Sequence, residues 1–285
     1  MLNDPRPPGK RRHPLEEGPP PPRPPELDTQ PQPPRMTLRI PVVPPRATYV
    51  LLAINLLVFA LGYLSPRLGQ QMFIFGANRT YEVLVEGEYH RLFTSMFLHG
   101  GFMHVFFNMY ALYIIGRGIE VVFGSARFSI IYLLGGLAGS ILSVVMGNPS
   151  PISGVPSVGA SGAVFALFGA EMVYLYRHRK LMGERATRQL RSLLMLLGIN
   201  LFIGLASWTE GSAVRIDNWA HMGGLVGGLL LTWLIGPVFS ARIDPVQPQC
   251  LIAQDTNTLQ KNYWLLSLYG IALVAVLALF SSLVR

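Results

Sequence analysis

Seven long apolar runs constrain this chain more than any other feature. They cover about 49–64, 102–118, 128–146, 159–176, 190–208, 219–236 and 263–284. Each approaches the ~20 residues that a helix needs to cross a hydrocarbon core about 30 Å thick. Hydrophobic residues make up 51% of the chain and charged residues only 13%, against about 25% charged in soluble domains. A soluble fold has nowhere to bury so much apolar surface, so the expected fold is an all-α polytopic membrane protein.

The segments between the runs set the expected topology. The net charge of +8 does not point to nucleic acid, because the basic residues cluster in the gaps, as in cytoplasmic membrane loops. The strongest cluster is Arg177, Arg179, Lys180, Arg185, Arg188 and Arg191. Placing it in the cytoplasm puts the N-terminus on the same side and, after seven crossings, the C-terminus outside. Residues 1–46 are Pro-rich and basic, too poor in apolar residues for a core, and read as a disordered tail. Residues 65–90 are too polar to span and are expected to lie partly in the interface. Residues 240–262 read as a polar linker, and 263–284 as a lipid-facing addition. The single cysteine, Cys250, excludes an internal disulfide and a multi-cysteine metal site.

Polar side chains inside a bilayer are costly and suggest function. Ser161 stands in Gly159-Ala160-Ser161-Gly162 at the start of the fourth run, where spare helix N–H groups favour negative charge. It is either a packing residue or a nucleophile. Counting back from Arg177 at ~1.5 Å per residue puts it about 24 Å away, just below the far surface. His221 heads a stripe with Gly224 and Gly228 in the sixth run, and Gly162, Ala166 and Gly169 form a matching stripe in the fourth. If the stripes meet, an imidazole lies beside a serine hydroxyl, which is the basic unit of an activated nucleophile. His104 and Asn108 share a helical face, and either could stabilise an oxyanion or make an interhelical hydrogen bond. His99 is expected to order the loop before them. His13 and His178 lie in basic stretches and call for no special role.

Together these residues resemble the rhomboid family of intramembrane serine proteases. The matching pieces are Gly159-Ala160-Ser161-Gly162, His104 with Asn108, Ala220-His221 with Gly224, Gly116 with Glu120, and His90-Arg91. They span about residues 48–236. The resemblance implies a six-helix rhomboid-like bundle over 47–238, with a linker and an extra seventh helix over 239–285. It implies a serine endopeptidase acting through a Ser161–His221 dyad without a third carboxylate. His104, Asn108 and the Ser161 backbone N–H would form the oxyanion site beside Gly159, with Phe165 under the histidine. The expected partners are transmembrane protein substrates and membrane lipid, in an inner or plasma membrane, with no cofactor, metal or nucleic acid. The chain departs from the family in having Phe165 for the usual Tyr and His90 for the usual loop Trp. Other intramembrane chemistries fit poorly. No His-Glu-Xaa-Xaa-His is present, Asp217 is the only aspartate near a span, and Glu171 lies about 15 Å from Ser161 by helical rise. The remaining alternative is an inactive rhomboid-like protein that binds client helices.

Overall fold

The computed structural model describes residues 37–207, 215–247 and 250–285. Most of the expected Pro-rich tail, residues 1–36, lies outside them.

Among the described residues, every apolar run folds as a helix. The first is α1 (Arg46–Leu64). The mixed segment after it forms short helices α2 (Pro66–Gly76), α3 (Thr80–Leu84) and α4 (Arg91–Thr94), ending in a 3-10 turn at Ser95–Phe97. The second run is one continuous rod made of α5 (Phe102–Ala111), a π turn (Leu112–Gly116) and α6 (Arg117–Phe123). Then come α7 (Ser125–Met146), α8 (Ser161–Arg177), the single turn α9 (Arg179–Met182), α10 (Glu184–Ala206), α11 (Asn218–Ile235) and α12 (Tyr263–Val284).

Among the described residues, five helices are long and apolar enough to cross a membrane: Arg46–Leu64, Phe102–Phe123, Ser125–Met146, Glu184–Ala206 and Leu259–Val284. The protein is therefore a polytopic helical membrane protein. α8 and α11 have only 17 and 18 residues. They are the inner helices, packed on each other and on α7, so much of their length meets protein instead of lipid. Glycines permit this packing. A Cβ on Gly224 would lie 2.0 Å from the Gly162 carbonyl oxygen, and one on Gly228 2.0 Å from that of Ala166. The two small-residue stripes do meet, and their backbones touch.

At the end of the bundle away from Ser161, Glu120 anchors α1. Its fully buried carboxylate accepts hydrogen bonds from the Ala47 and Thr48 N–H groups at 2.8 and 2.7 Å, and from the hydroxyls of Thr48 and Ser125. The first N–H groups of a helix have no partner within it, and negative charge is favoured there. One side chain thus ties α1, α6 and α7 together.

The same end carries a feature that the sequence reading missed. Strands β1 (Thr37–Arg39), β2 (Phe239–Ile243) and β3 (Cys250–Asp255) form a sheet of order β1-β3-β2, with β1 parallel and β2 antiparallel to β3. The end of the segment read as a tail is therefore a strand, and the segment read as a linker is half sheet. The Arg127–Asp255 ion pair at 2.7 Å fastens this sheet to α7. His178 also needs correction. It is buried, with Nδ1 2.9 Å from the Tyr174 carbonyl and Nε2 accepting from the Phe239 N–H at 3.0 Å. Since Nε2 accepts, the neutral ring carries its proton on Nδ1. Burial lowers its pKa.

α12 is mostly exposed, but it is docked. Leu273, Leu277 and Phe280 pack on a cluster of Val83, Leu84, Ile141 and Val144, and Arg285 donates to the Leu84 carbonyl.

Candidate active site

Ser161 is the first residue of α8. Its own N–H is one of those a helix start leaves free. The preceding loop is held by paired backbone hydrogen bonds between Asn78 and Ser157, at 2.8 and 3.0 Å. Gly159 donates from its N–H to the Ser95 carbonyl at 2.9 Å. Its φ of +125° is one that L side chains rarely adopt, and a Cβ there would lie 2.7 Å from His104 Nε2. Only glycine fits both conditions. Beside it is a small cavity of about 10 Å³, lined by Ser95, Ser140, Ser157, Ser161 and Ala220 among others. That is roughly the space for one water in a polar setting.

His221 lies one turn into α11 and is buried. Asp217 caps that helix, accepting from the Ala220 N–H at 2.9 Å and from the Ser143 hydroxyl on α7. Its oxygens are thus engaged elsewhere, and His221 Nδ1 has no hydrogen-bond partner among the described residues. The imidazole lies flat on Phe165, with ring centroids 4.1 Å apart and an interplanar angle of 10°. Phe165 is four residues after Ser161, so the two share a face of α8. The histidine is thereby held over the face that carries the serine. Gly162 faces Ala220 at the same level: a Cβ there would meet the Ala220 carbonyl oxygen at 3.3 Å.

His104 approaches from α5. Its Nδ1 accepts the Gly100 N–H at 3.3 Å, which leaves the proton of the neutral ring on Nε2. That Nε2–H is the group that faces Gly159. Asn108, one turn on and buried, donates one amide N–H to the His104 carbonyl at 2.9 Å, and its second amide hydrogen is not used in that bond. His99 meets His104 edge-on, centroids 5.2 Å apart. Neither His99 ring nitrogen makes a well-formed hydrogen bond. Burial, with a smaller contribution from His104, lowers its pKa from 6.5 to about 4.

Supporting residues came less readily from sequence. Arg91 is buried, and its guanidinium binds Glu88 and the carbonyls of Ile74 and Ala77. It staples the segment that follows α1 under the loop that leads to α5. Next to it, His90 Nε2 lies 2.9 Å from the Phe75 carbonyl, a second polar staple on the same segment. Asn78 links the Ser157 loop to α7 through the Ser140 carbonyl. His90-Arg91 was visible as a motif, but nothing local in the sequence marked Asn78.

A model of the rhomboid domain matches residues 86–238, more than half of the chain, with Asn78 of the site just described lying before the match. The chain belongs to the rhomboid family. Similar proteins include rhomboid protease GluP of Bacillus subtilis, 34% identical over 194 residues, which cover 67% of this chain and 35% of that protein. RHOMBOID-like protein 6, mitochondrial, of Arabidopsis thaliana is 38% identical over 160 residues, 56% of this chain and 48% of that protein. RHOMBOID-like protein 1 of the same plant is 33% identical over 199 residues, 68% and 48%. This rhomboid thus matches between a third and a half of the length of those relatives. The matched region holds Ser161, His221, His104 and Asn108, whereas the strand Thr37–Arg39 and α12 lie outside the domain match.

Proposed function

We propose that this rhomboid is an intramembrane serine endopeptidase in which Ser161 is the nucleophile and His221 the general base. The reading is supported chiefly by the glycine seam between α8 and α11, where Phe165, on the face of Ser161, carries the imidazole of His221. In the reaction Ser161 Oγ attacks the scissile carbonyl carbon while His221 accepts its proton. The C=O pair becomes an oxyanion, met by the Ser161 N–H, the His104 Nε2–H and the Asn108 amide. The tetrahedral species collapses, the C–N bond breaks and His221 passes the proton to the leaving amine. Water, activated by the same histidine, then hydrolyses the ester and restores the hydroxyl. The cavity at Ser161 is the natural source of that water.

The substrate is a transmembrane segment of another membrane protein. It would reach the dyad from the lipid by way of α10, whose span is little buried. Gln189 binds Glu171 at 2.5 Å near one end of α10, and Gly204 touches Asn218 near the other. The catalytic core is residues 47–238. The basic end faces the cytoplasm, and the dyad lies near the opposite face.

The test is cleavage of a single-span reporter co-reconstituted with the purified protein. Wild type should cut it within or beside its membrane segment, and Ser161→Ala and His221→Ala should not. Equal turnover by all three would remove the dyad. Binding without cleavage by a well-folded wild type would favour the client-binding alternative.

A further inference from the structure

A groove near the basic end takes no part in this chemistry. It opens between α8, α10 and α11 with a volume of about 410 Å³, and its lining includes Met172, Tyr176, Leu190, Leu194, Leu230 and Trp233. Met172 and Tyr176 are one turn apart on α8, as are Leu190 and Leu194 on α10, so each helix offers one apolar face. From Tyr176, next to Arg177, the groove runs about 6 Å along α8 to Met172. In a bilayer this is the depth at which acyl chains leave the headgroup layer.

The rim has the opposite character. The Arg177 guanidinium lies over the Trp233 ring at 4.3 Å, and that of Arg179 over the Tyr176 ring at 4.2 Å. Both aromatics line the groove, so two cations are fixed at its mouth by the walls themselves. On α10, Arg188 and Arg191 flank Leu190 in sequence. The acid nearest them in sequence is Glu184, 3.9 Å from Arg188 in an exposed pair that holds its partner weakly. Glu171 is engaged by Gln189.

We propose that this groove binds one anionic phospholipid. An acyl chain lies between α8, α10 and α11, and the phosphate sits among Arg177, Arg179 and Arg191. The volume is that of a small-molecule site, and a helix about 10–12 Å across would not enter without displacing α10. Basic pockets between transmembrane helices select charged lipid headgroups. A zwitterionic lipid would fill the apolar part equally well but would leave this excess of guanidinium groups unbalanced. Because Leu190 and Leu194 belong to α10, the bound lipid fastens that helix to α8 and α11 at its basic end. The inference does not rest on the peptidase reading.

The full-length protein is placed in nanodiscs of phosphatidylcholine containing a trace of phosphatidylglycerol with a photoactivatable acyl chain, or of identically tagged phosphatidylcholine. Crosslinked peptides are mapped by mass spectrometry. The anionic probe should label Met172–Tyr176 and Leu190–Leu194 at least fivefold more than the neutral one. Arg179→Gln with Arg191→Gln should reduce that preference at unchanged thermal stability, with about a fivefold loss for each arginine removed. Arg177 is left in place, because it also binds the Thr232 and Trp233 carbonyls. Leu194→Trp, which narrows the groove, should weaken labelling by both probes. Equal labelling by the two probes in wild type, a preference untouched by the arginine substitutions, or crosslinks through the groove to a second copy of the chain would each overturn the proposal.

Discussion

Gly224→Ala tests how tightly function depends on the α8–α11 seam. The added methyl would lie 2.0 Å from the Gly162 carbonyl oxygen, where such atoms ordinarily sit about 3.4 Å apart. Both partners are backbone, so no side-chain rotation relieves the clash. The helices must part by roughly 1.4 Å, the gap between those two distances. Gly224 is three residues from His221 and Gly162 is adjacent to Ser161, so the separation falls on the proposed dyad. Misplacing reacting groups by about 1 Å costs on the order of 100-fold, and forcing one methyl into a filled contact costs roughly 1–3 kcal/mol of stability. The assay is reporter cleavage per folded molecule, with thermal unfolding in detergent run alongside. Gly118→Ala and Gly198→Ala serve as controls, because a Cβ at either meets nothing within 4 Å. Gly224→Ala should lose about 100-fold in kcat/KM and both controls should stay near wild type. A Gly224→Ala enzyme within threefold of wild type would refute the argument that seam contact sets the catalytic geometry.

Other outcomes follow from single contacts. Asn108→Ala should cut reporter cleavage by about 10-fold or more with unchanged expression, the usual effect of losing one oxyanion donor; unchanged turnover would remove Asn108 from the mechanism. Glu120→Gln leaves an amide N–H facing the donors of Ala47, Thr48 and Ser125, so it should lower stability by roughly 1–3 kcal/mol, seen as a lower Tm with normal activity per folded molecule. Burial holds the folded-state pKa of His178 below 6.5 and that of His99 at about 4. Below pH 6.5 the unfolded chain therefore binds more protons at these sites than the folded one, and stability falls as the pH drops toward 4. His178→Gln and His99→Gln should each flatten that dependence in melts between pH 4 and 7, and a slope identical to wild type in both would contradict the assignment.

The sequence made some parts of this fold legible and hid others for physical reasons. Apolar runs reveal helices because the bilayer demands continuous apolar length, and α7 and α11 begin within three residues of where the runs start. The seam was readable because tight helix contact needs small residues at helical spacing, as Gly224 and Gly228 supply. The β1-β3-β2 sheet was not readable. Its strands are three to six residues long, they lie in polar stretches, and β1 pairs with residues more than 200 positions away. His178 looked like one more basic-loop residue, and only the return of the chain at Phe239 buries it. Glu120 was recognised as a motif, while its task of capping α1 depends on a helix start some 70 residues earlier.

The central claim is that the Ser161 hydroxyl is a nucleophile activated by His221, and covalent labelling with a mechanism-based serine hydrolase probe measures this most directly. The account predicts a single adduct, mapped by mass spectrometry to Ser161, absent in Ser161→Ala and lost in His221→Ala at unchanged Tm. Labelling of Ser161→Ala equal to wild type, or none in a well-folded wild type, would contradict it.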